Sequence, residues 1–470
     1  MHSAQRILLA VSCLLCFAFF KYLWDEETAK EASTGGHVSP VRSSKQQALV
    51  DSHSRARCAD LDGLQDLAII LKTGSTEIYA KLPIHFQTTF RCTDDYLIYS
   101  DVAQDFAGVP IRDAMALVSD TARAESKDLA QYKVLNDHVA LGGSAAELKG
   151  DESWHLDKWK FLPMISDAYE VYGDSKKWHF FIEADTYVSL HNLLPWLSKL
   201  DHRRAIYAGA QVMIGKTEFG HGGSGFLLSS TAAKALSEVY KSNQSHWEQV
   251  ISDDCCGDKV MAEVLQAADP PVRLLRAFPL IQGETLSSLD WSPTHWCRPA
   301  VTWHHVDAAE IGKLTQFDLR WREEKGPNTP IMFKDYYAAF IHPRLLAANG
   351  SMLPDWDNLS NDWRFSAEKE ETYDVAVETA WACRSFCEDT QGCVQWAWRP
   401  GSCKGGRKVR LGWALKNRPE LGSAEDRIEK TAGKRLEGAV SGWVMERIER
   451  YREEVGGCEG REVWVVENKD

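Results

Sequence analysis

The first pattern along the chain is a single apolar run. Ile7 to Phe20 is apolar apart from Ser12, with Arg6 before it and Lys21, Tyr22, Leu23 and Trp24 after it. A helix over Ile7–Trp24 spans roughly 27 Å at about 1.5 Å per residue, close to the thickness of a thin bilayer. Lys21 can snorkel, and Tyr22 and Trp24 suit the interface. The competing reading is a cleaved signal peptide, which has a core of this length. Cys16-Phe17-Ala18 is a poor small-x-small site, so residues 1–24 are expected to be an uncleaved anchor. Both readings send the rest of the chain into the secretory pathway. Residues 25–57, rich in Glu, Ser, Gly, Lys and Arg, read as a flexible stem.

From Asp66 short apolar runs alternate with helical stretches. Leu67–Leu71, Tyr96–Tyr99, Lys177–Ile182, Ala205–Ala208 and Gly225–Leu228 are strand candidates, with helices around 189–200 and 231–241. This alternation predicts an α/β domain over 58–312 with much of its sheet parallel. Residues 313–372 show little period and read as an irregular extension. A cysteine cluster follows, Cys383, Cys387, Cys393 and Cys403, with Trp396, Trp398 and Trp443 nearby. It marks a further disulfide-rich segment, with a charged stretch near 415–435, Trp396 and Trp398 as core residues, and a charged tail at 448–470.

Composition narrows the function. The 470 residues carry a net charge of −13, so no basic surplus is available for a nucleic-acid partner. Ten of the twelve cysteines follow the leader, an even number that suits an oxidising compartment and several disulfides. Cys58 and Cys92 are expected to brace the first βα unit, and Cys255 or Cys256 to pair with Cys297 or elsewhere. Asn243-Gln244-Ser245, Asn349-Gly350-Ser351 and Asn358-Leu359-Ser360 fit the glycosylation pattern.

Ligands of open α/β sheets bind outside the carboxyl ends of the strands. Glu183-Ala184-Asp185 stands there, after Trp178–Ile182. A carboxylate at that place can hold a hard divalent cation, and the cation can neutralise a diphosphate. That suits glycosyl transfer, in which a nucleoside diphosphate leaves.

Trp178–Val188 resembles the strand and metal-binding motif of glycosyltransferase family 31, which includes Fringe-like and core 1 β-1,3-galactosyltransferase-like enzymes. Phe219–Ser229 is similar to the family's glycine-rich segment, Ser252–Cys255 to its acidic segment, and Ala300–Val306 to its late strand with a metal-binding histidine. The resemblance covers roughly 64–312 and looks closest to fungal members. It implies a GT-A-like, Rossmann-type nucleotide-sugar transferase domain. It also implies Asp185 and His304 as ligands of Mn2+ or another divalent cation, Asp254 as catalytic base, and a UDP-sugar donor near Glu183, Asp185, Lys72, Gly74, Gly222 and Gly223. Relatives carry three aspartates where this chain has Glu183, Ala184 and Asp185, so only the middle carboxylate is lost. The cysteine cluster resembles PAN/apple-like modules, which bind protein or carbohydrate, and the resemblance implies a small disulfide-rich α+β module over 373–447.

The residues also have plainer readings. Lys72, Thr73 and Gly74 fit an ordinary strand-to-helix turn. Gly222, Gly223 and Gly225 permit close backbone approach to a ligand, or simply a turn before a strand. Asp253 and Asp254 start a helix running through Leu265, which acidic residues do wherever they cap and complement a dipole. Strand alternation sends His304 and His305 to opposite faces, so only one of them is expected in the site, and the family resemblance makes it His304.

The expected function is an inverting, metal-dependent β-1,3-glycosyltransferase that moves galactose from UDP-galactose to a glycan or glycoprotein acceptor such as O-linked GalNAc. The alternatives are a Fringe-like N-acetylglucosaminyl- or glucosyltransferase, or a noncatalytic glycan-binding protein on the same fold. The expected address is the Golgi or endoplasmic reticulum membrane, single-pass type II, with the catalytic domain lumenal.

Overall fold

A computed structural model of the chain describes residue 58 and residues 61–150, 155–348, 352–366, 375–415 and 438–468. The leader, the stem, the sequon at Asn349 and most of the charged stretch lie outside these residues. Among the described residues no helix is long and apolar enough to cross a membrane.

An eight-stranded mixed sheet organises the larger part of the chain. Its strands are β1 (Leu67–Lys72), β2 (Tyr96–Ser100), β3 (Gln104–Phe106), β4 (Val109–Asp113), β5 (Trp178–Glu183), β7 (Tyr207–Gly209), β10 (Phe226–Ser229) and β11 (Leu274–Arg276), in the order β11-β7-β10-β5-β1-β2-β4-β3. The two-residue β6 (Tyr187–Val188) and the hairpin β8 (Gln211–Ile214) and β9 (Thr217–Gly220) stand outside it. β1 pairs in parallel with β2 and β5, whereas β10 runs antiparallel to β5 and β7. β1 reads Leu-Ala-Ile-Ile-Leu-Lys and is buried throughout, as a central parallel strand covered on both faces must be.

Alternation along β1 divides the core in two. Ala68 and Ile70 face a cluster built from helices α1 (Asp157–Tyr172), α2 (Ser230–Ser242) and α3 (Gly257–Gln266), including Trp159, Leu162, Leu236, Met261 and Leu265. Leu67, Ile69 and Leu71 face the other, with Phe180, Ile182, Leu193 and Trp196. Each such buried aliphatic side chain contributes about 1.5–3 kcal/mol, which makes this two-faced sheet a firm base for groups at its strand ends.

The extension is regular rather than irregular. Residues 313–372 begin inside helix α4 (Ala308–Lys325) and continue through Phe333–Tyr336, a π-helical turn at Tyr337–Ile341, and His342–Ala348. Its helical stripe was obscured because one buried position is acidic. Ile311, Leu314 and Asp318 share the buried face, and Asp318 accepts hydrogen bonds from Tyr336 (2.7 Å) and Ser189.

The C-terminal module starts earlier than residue 373. Leu353–Pro354 and Trp363–Ser366 join Gln395–Arg399, Ser402–Gly406 and Val440–Trp443 in one five-stranded antiparallel sheet. Cys383–Cys403 and Cys387–Cys393 pin the helix Ala380–Asp389 to it. Trp396 is buried with its ring against Gly442, and Trp398 donates to the Val377 carbonyl (2.9 Å), so both belong to this small core. The tail is structured too. Met445–Val455 is a helix, Cys458 is bonded to Cys297, and Trp196 donates to the Val465 carbonyl (2.6 Å). A third core joins Trp291, Trp303, Leu314 and Tyr336 to Val394, Trp443 and Ile448, so the module packs into the larger part of the chain.

All ten cysteines outside the leader are paired. Cys58–Cys92 braces the first βα unit as expected. Cys255 and Cys256 do not reach Cys297; they bond to each other, and Cys297 is taken by Cys458. Asn358 departs from its sequon's promise. Its side chain is fully buried and donates to the carbonyls of Trp396 and Gly442, both at 3.1 Å. Asn243 is exposed between two helices.

Candidate active site

A cleft of about 560 Å³ opens at the carboxyl ends of β1 and β5, where Lys72, Gly74, Glu183, Asp185, Gly222, Gly223, His304 and His305 all reach its lining. The parallel register sets Lys72 directly beside Glu183, and their side chains form an ion pair of 2.9 Å. Asp157, in the first turn of α1, takes the same ammonium at 2.5 Å. Burial would lower the Lys72 pKa, but Asp157 and Glu183 outweigh it and keep the group firmly charged. Lys160 lies beside them, donating to the Thr73 carbonyl (3.1 Å) and 3.7 Å from Asp101. The floor is thus a paired ionic lattice, and Glu183 acts first on Lys72. Gly74 has no special conformation, and a Cβ there would meet only Thr76 Oγ1 at 3.7 Å.

Asp185 sits one turn beyond the strand. His85 Nε2 donates to the Ala184 carbonyl (2.9 Å) and its Nδ1 faces Thr89 Oγ1 (2.9 Å), which fixes this turn from below. Ala184 itself is buried among apolar side chains. β6 pairs with the short strand Thr302–Trp303, and the Val306 amide donates to the Asp185 carbonyl (3.0 Å), so two segments over a hundred residues apart lie side by side. His304 Nε2 is then 3.5 Å from Asp185 Oδ1, and Lys81 Nζ is 3.2 Å from Oδ2. Burial alone would raise the Asp185 pKa. The His304 contact and then Lys81 reverse this and hold the carboxyl well below its usual range.

Strand alternation fails at His305. Its φ of 58° is left-handed, and this swings the ring back to 3.8 Å from that of His304, centroid to centroid. Both histidines therefore face the cleft. Asp185, His304 and His305 offer three donor atoms within 4.8 Å of one another, and buried His304 Nδ1 has no hydrogen-bond partner. One carboxylate oxygen and imidazole nitrogens suit a divalent transition ion. The residues fit a cation.

Where the glycine-rich segment lines the cleft, the missing side chains make room for His304 and Phe161. A Cβ on Gly223 would lie 2.3 Å from His304 Cε1, and one on Gly222 would lie 2.7 Å from Phe161 Cζ. Gly225, with φ of 84°, needs glycine for its backbone.

The acidic segment is arranged differently from the sequence expectation. Asp253 ends the helix Gln244–Asp253 instead of starting the next, and Asp254 caps that end. The Asp254 carboxylate pairs with Lys259 (2.5 Å) and accepts from the Cys256 amide (3.2 Å), outside the cleft lining. The carboxylate in the cleft belongs to Asp258, in the first turn of α3, which accepts from the Gly222 amide at 2.9 Å. Burial pushes its pKa up against that hydrogen bond. Asp254 with Cys255 and Cys256 also cluster closely, but disulfide sulfurs are not thiolate ligands. The sequence did hold a signal for Asp258: the apolar period of α3 begins at Val260, which puts 257 and 258, not 253, in its first turn.

Residues 64–276 match the family model described as Fringe-like. The chain carries a Fringe-like domain. It runs from β1 to β11 and holds the ionic floor, Asp185, the glycine-rich segment and Asp258. The two histidines come from beyond the matched segment. A Fringe-like domain points to glycosyltransferase activity, with a nucleotide-sugar donor and a glycan acceptor.

Proposed function

We propose that this chain is an inverting, metal-dependent β-1,3-glycosyltransferase that moves galactose from UDP-galactose to O-linked GalNAc on a glycoprotein. The observation that carries the reading is the division of one cleft. Asp185, His304 and His305 bring three atoms suited to a cation into one corner, and Asp258 is a separate half-buried carboxylate in the same space.

Asp185, His304 and His305 would hold the cation, manganese being the first candidate. When bound, it neutralises the diphosphate that leaves. Lys81 supplies a further positive charge at that corner. Asp258 accepts the proton of the acceptor hydroxyl while the acceptor oxygen bonds to the anomeric carbon and the bond to the diphosphate breaks. A raised pKa makes it a better proton acceptor, and the Gly222 amide keeps it aimed. We assign the base to Asp258 rather than Asp254, whose carboxylate is engaged by Lys259. The five disulfides agree with a lumenal address in the Golgi or endoplasmic reticulum, with Ile7–Trp24 as a type II anchor. A PAN-like role for the C-terminal module, binding acceptor protein or glycan, belongs to the same reading.

The test is transfer by the purified full chain from a panel of UDP sugars, with manganese and with a chelator. Asp258→Asn should keep UDP and manganese affinity while turnover falls on the order of 100-fold, as for loss of a positioned base. Asp185→Asn and His304→Ala should weaken both binding and turnover. Near-normal turnover in Asp258→Asn with loss in Asp254→Asn would return the base to Asp254. A wild-type chain that bound neither UDP nor cation would favour the glycan-binding alternative.

A further inference from the structure

One wall of the cleft is apolar, in contrast to its charged floor. Alternation along β8 turns Val212 and Ile214 into the cleft and Met213 away from it. All three are exposed, Met213 the most. The hairpin rests on α3, with Thr217 Oγ1 donating to Glu263 at 2.8 Å. The Cys255–Cys256 disulfide lines the same cleft at the start of that helix, with Cys255 exposed. Its loop is clamped. Lys158 Nζ donates to the carbonyls of Ser252 (3.0 Å) and Asp254 (2.9 Å), and a Cβ on Gly257 would lie 2.3 Å from the Lys158 carbonyl. None of these groups serves the cation corner or the ionic floor.

The position of Asp258 decides what this wall meets. An acceptor hydroxyl must come within hydrogen-bond reach of that carboxylate, and Asp258 is two residues from the disulfide, on the helix that carries the hairpin. We propose that Val212, Ile214 and the Cys255–Cys256 disulfide form the acceptor wall, packing against the apolar C–H face of the acceptor sugar ring and setting acceptor specificity. This rests on the glycosyltransferase reading above. A pyranose ring presents such a face beside its hydroxyls. A disulfide closed between neighbouring residues offers polarisable surface with no side-chain rotamers to freeze on binding. Covering the wall also excludes water from Asp258 while the proton moves.

Initial rates of the full chain with the methyl α-glycoside of GalNAc, at saturating donor, test this together with UDP binding by calorimetry. Val212→Ser/Ile214→Ser should raise the acceptor KM about tenfold, in line with the loss of two apolar contacts, and leave the UDP Kd within about twofold. Cys255→Ala/Cys256→Ala should shift the acceptor KM in the same direction. Met213→Ser, on the same strand but facing away, should match wild type. If removing the disulfide unfolds the chain, the hairpin variant carries the test alone. An unchanged acceptor KM in the folded hairpin variant, or an equal rise in Met213→Ser, overturns the wall while transfer by wild type stands. A wild type that transfers from no UDP sugar overturns the parent reading and this one with it.

Discussion

Gly223→Ala is the most direct probe of how the cation corner is held. The new Cβ would sit 2.3 Å from His304 Cε1 and 2.5 Å from Nε2. Carbon atoms rest at about 3.5 Å or more, so the imidazole must retreat by more than about 1 Å. It has little room, since it is buried between the His305 ring (centroid at 3.8 Å) and the His221 ring (5.5 Å). Any retreat breaks its alignment with Asp185, now 3.5 Å away. Metal–ligand distances hold to within about 0.2 Å, and a misplacement of about 1 Å costs on the order of 100-fold in function. Manganese affinity in the presence of UDP, read by calorimetry, should fall by about that factor. The fold should survive, because Gly223 does not occupy the left-handed region, and overpacking alone costs about 1–3 kcal/mol. Gly312→Ala, inside α4 with only Ile84 Cδ1 at 4.0 Å, serves as the control and should bind manganese as wild type does. Wild-type manganese affinity in a folded Gly223→Ala protein would remove His304 from the cation site.

Acid sensitivity should trace in part to His179, buried with both ring nitrogens unpartnered and its pKa pushed down to about 4 by burial. Because the unfolded ring titrates near about 6.5, this stability is present above that pH and is lost as pH falls toward the folded value; His179→Leu should remove roughly 2 kcal/mol of the difference between urea unfolding at about pH 7 and pH 5. Cys297→Ser/Cys458→Ser opens a link between residues 161 apart and should cost about 2–5 kcal/mol, seen as a lower Tm. Truncation before residue 373 removes Val394, Trp443 and Ile448 from the third core together with Cys458, so the shortened chain should fail to give a cooperative melt. Peptide mapping after expression in a glycosylating host should find glycan at Asn243 and none at Asn358, whose amide is consumed inside the fold.

Local pattern was enough for the frame. β1, β2, β5, β7 and β10 form where short, mainly apolar runs stand, because strands buried on both faces rarely admit a polar residue, and the one inside β5, His179, is held uncharged by burial. The same rule put Asp185 and Lys72 at the mouth of the sheet, where strand ends leave an open crevice. What local pattern could not carry were choices made between distant segments. His305 faces the cleft only because its backbone turns left-handed after pairing with β6. Asp258, not Asp254, lines the cleft because the chain between Asp253 and Gly257 breaks into a clamped loop, and the partner that orients Asp258 is an amide 36 residues earlier. Asp318 takes a core position because Tyr336 and Ser189 satisfy its carboxylate there, partners that its own segment does not reveal. Cys255 and Cys256 gave no hint that each would choose its neighbour, and Cys458 lay in a tail that only the Cys297 link explains. Periodicity records how one segment meets water or core. Hydrogen bonds, ion pairs and disulfides between segments depend on where both partners end up, and that is decided only once the sheet has brought them together.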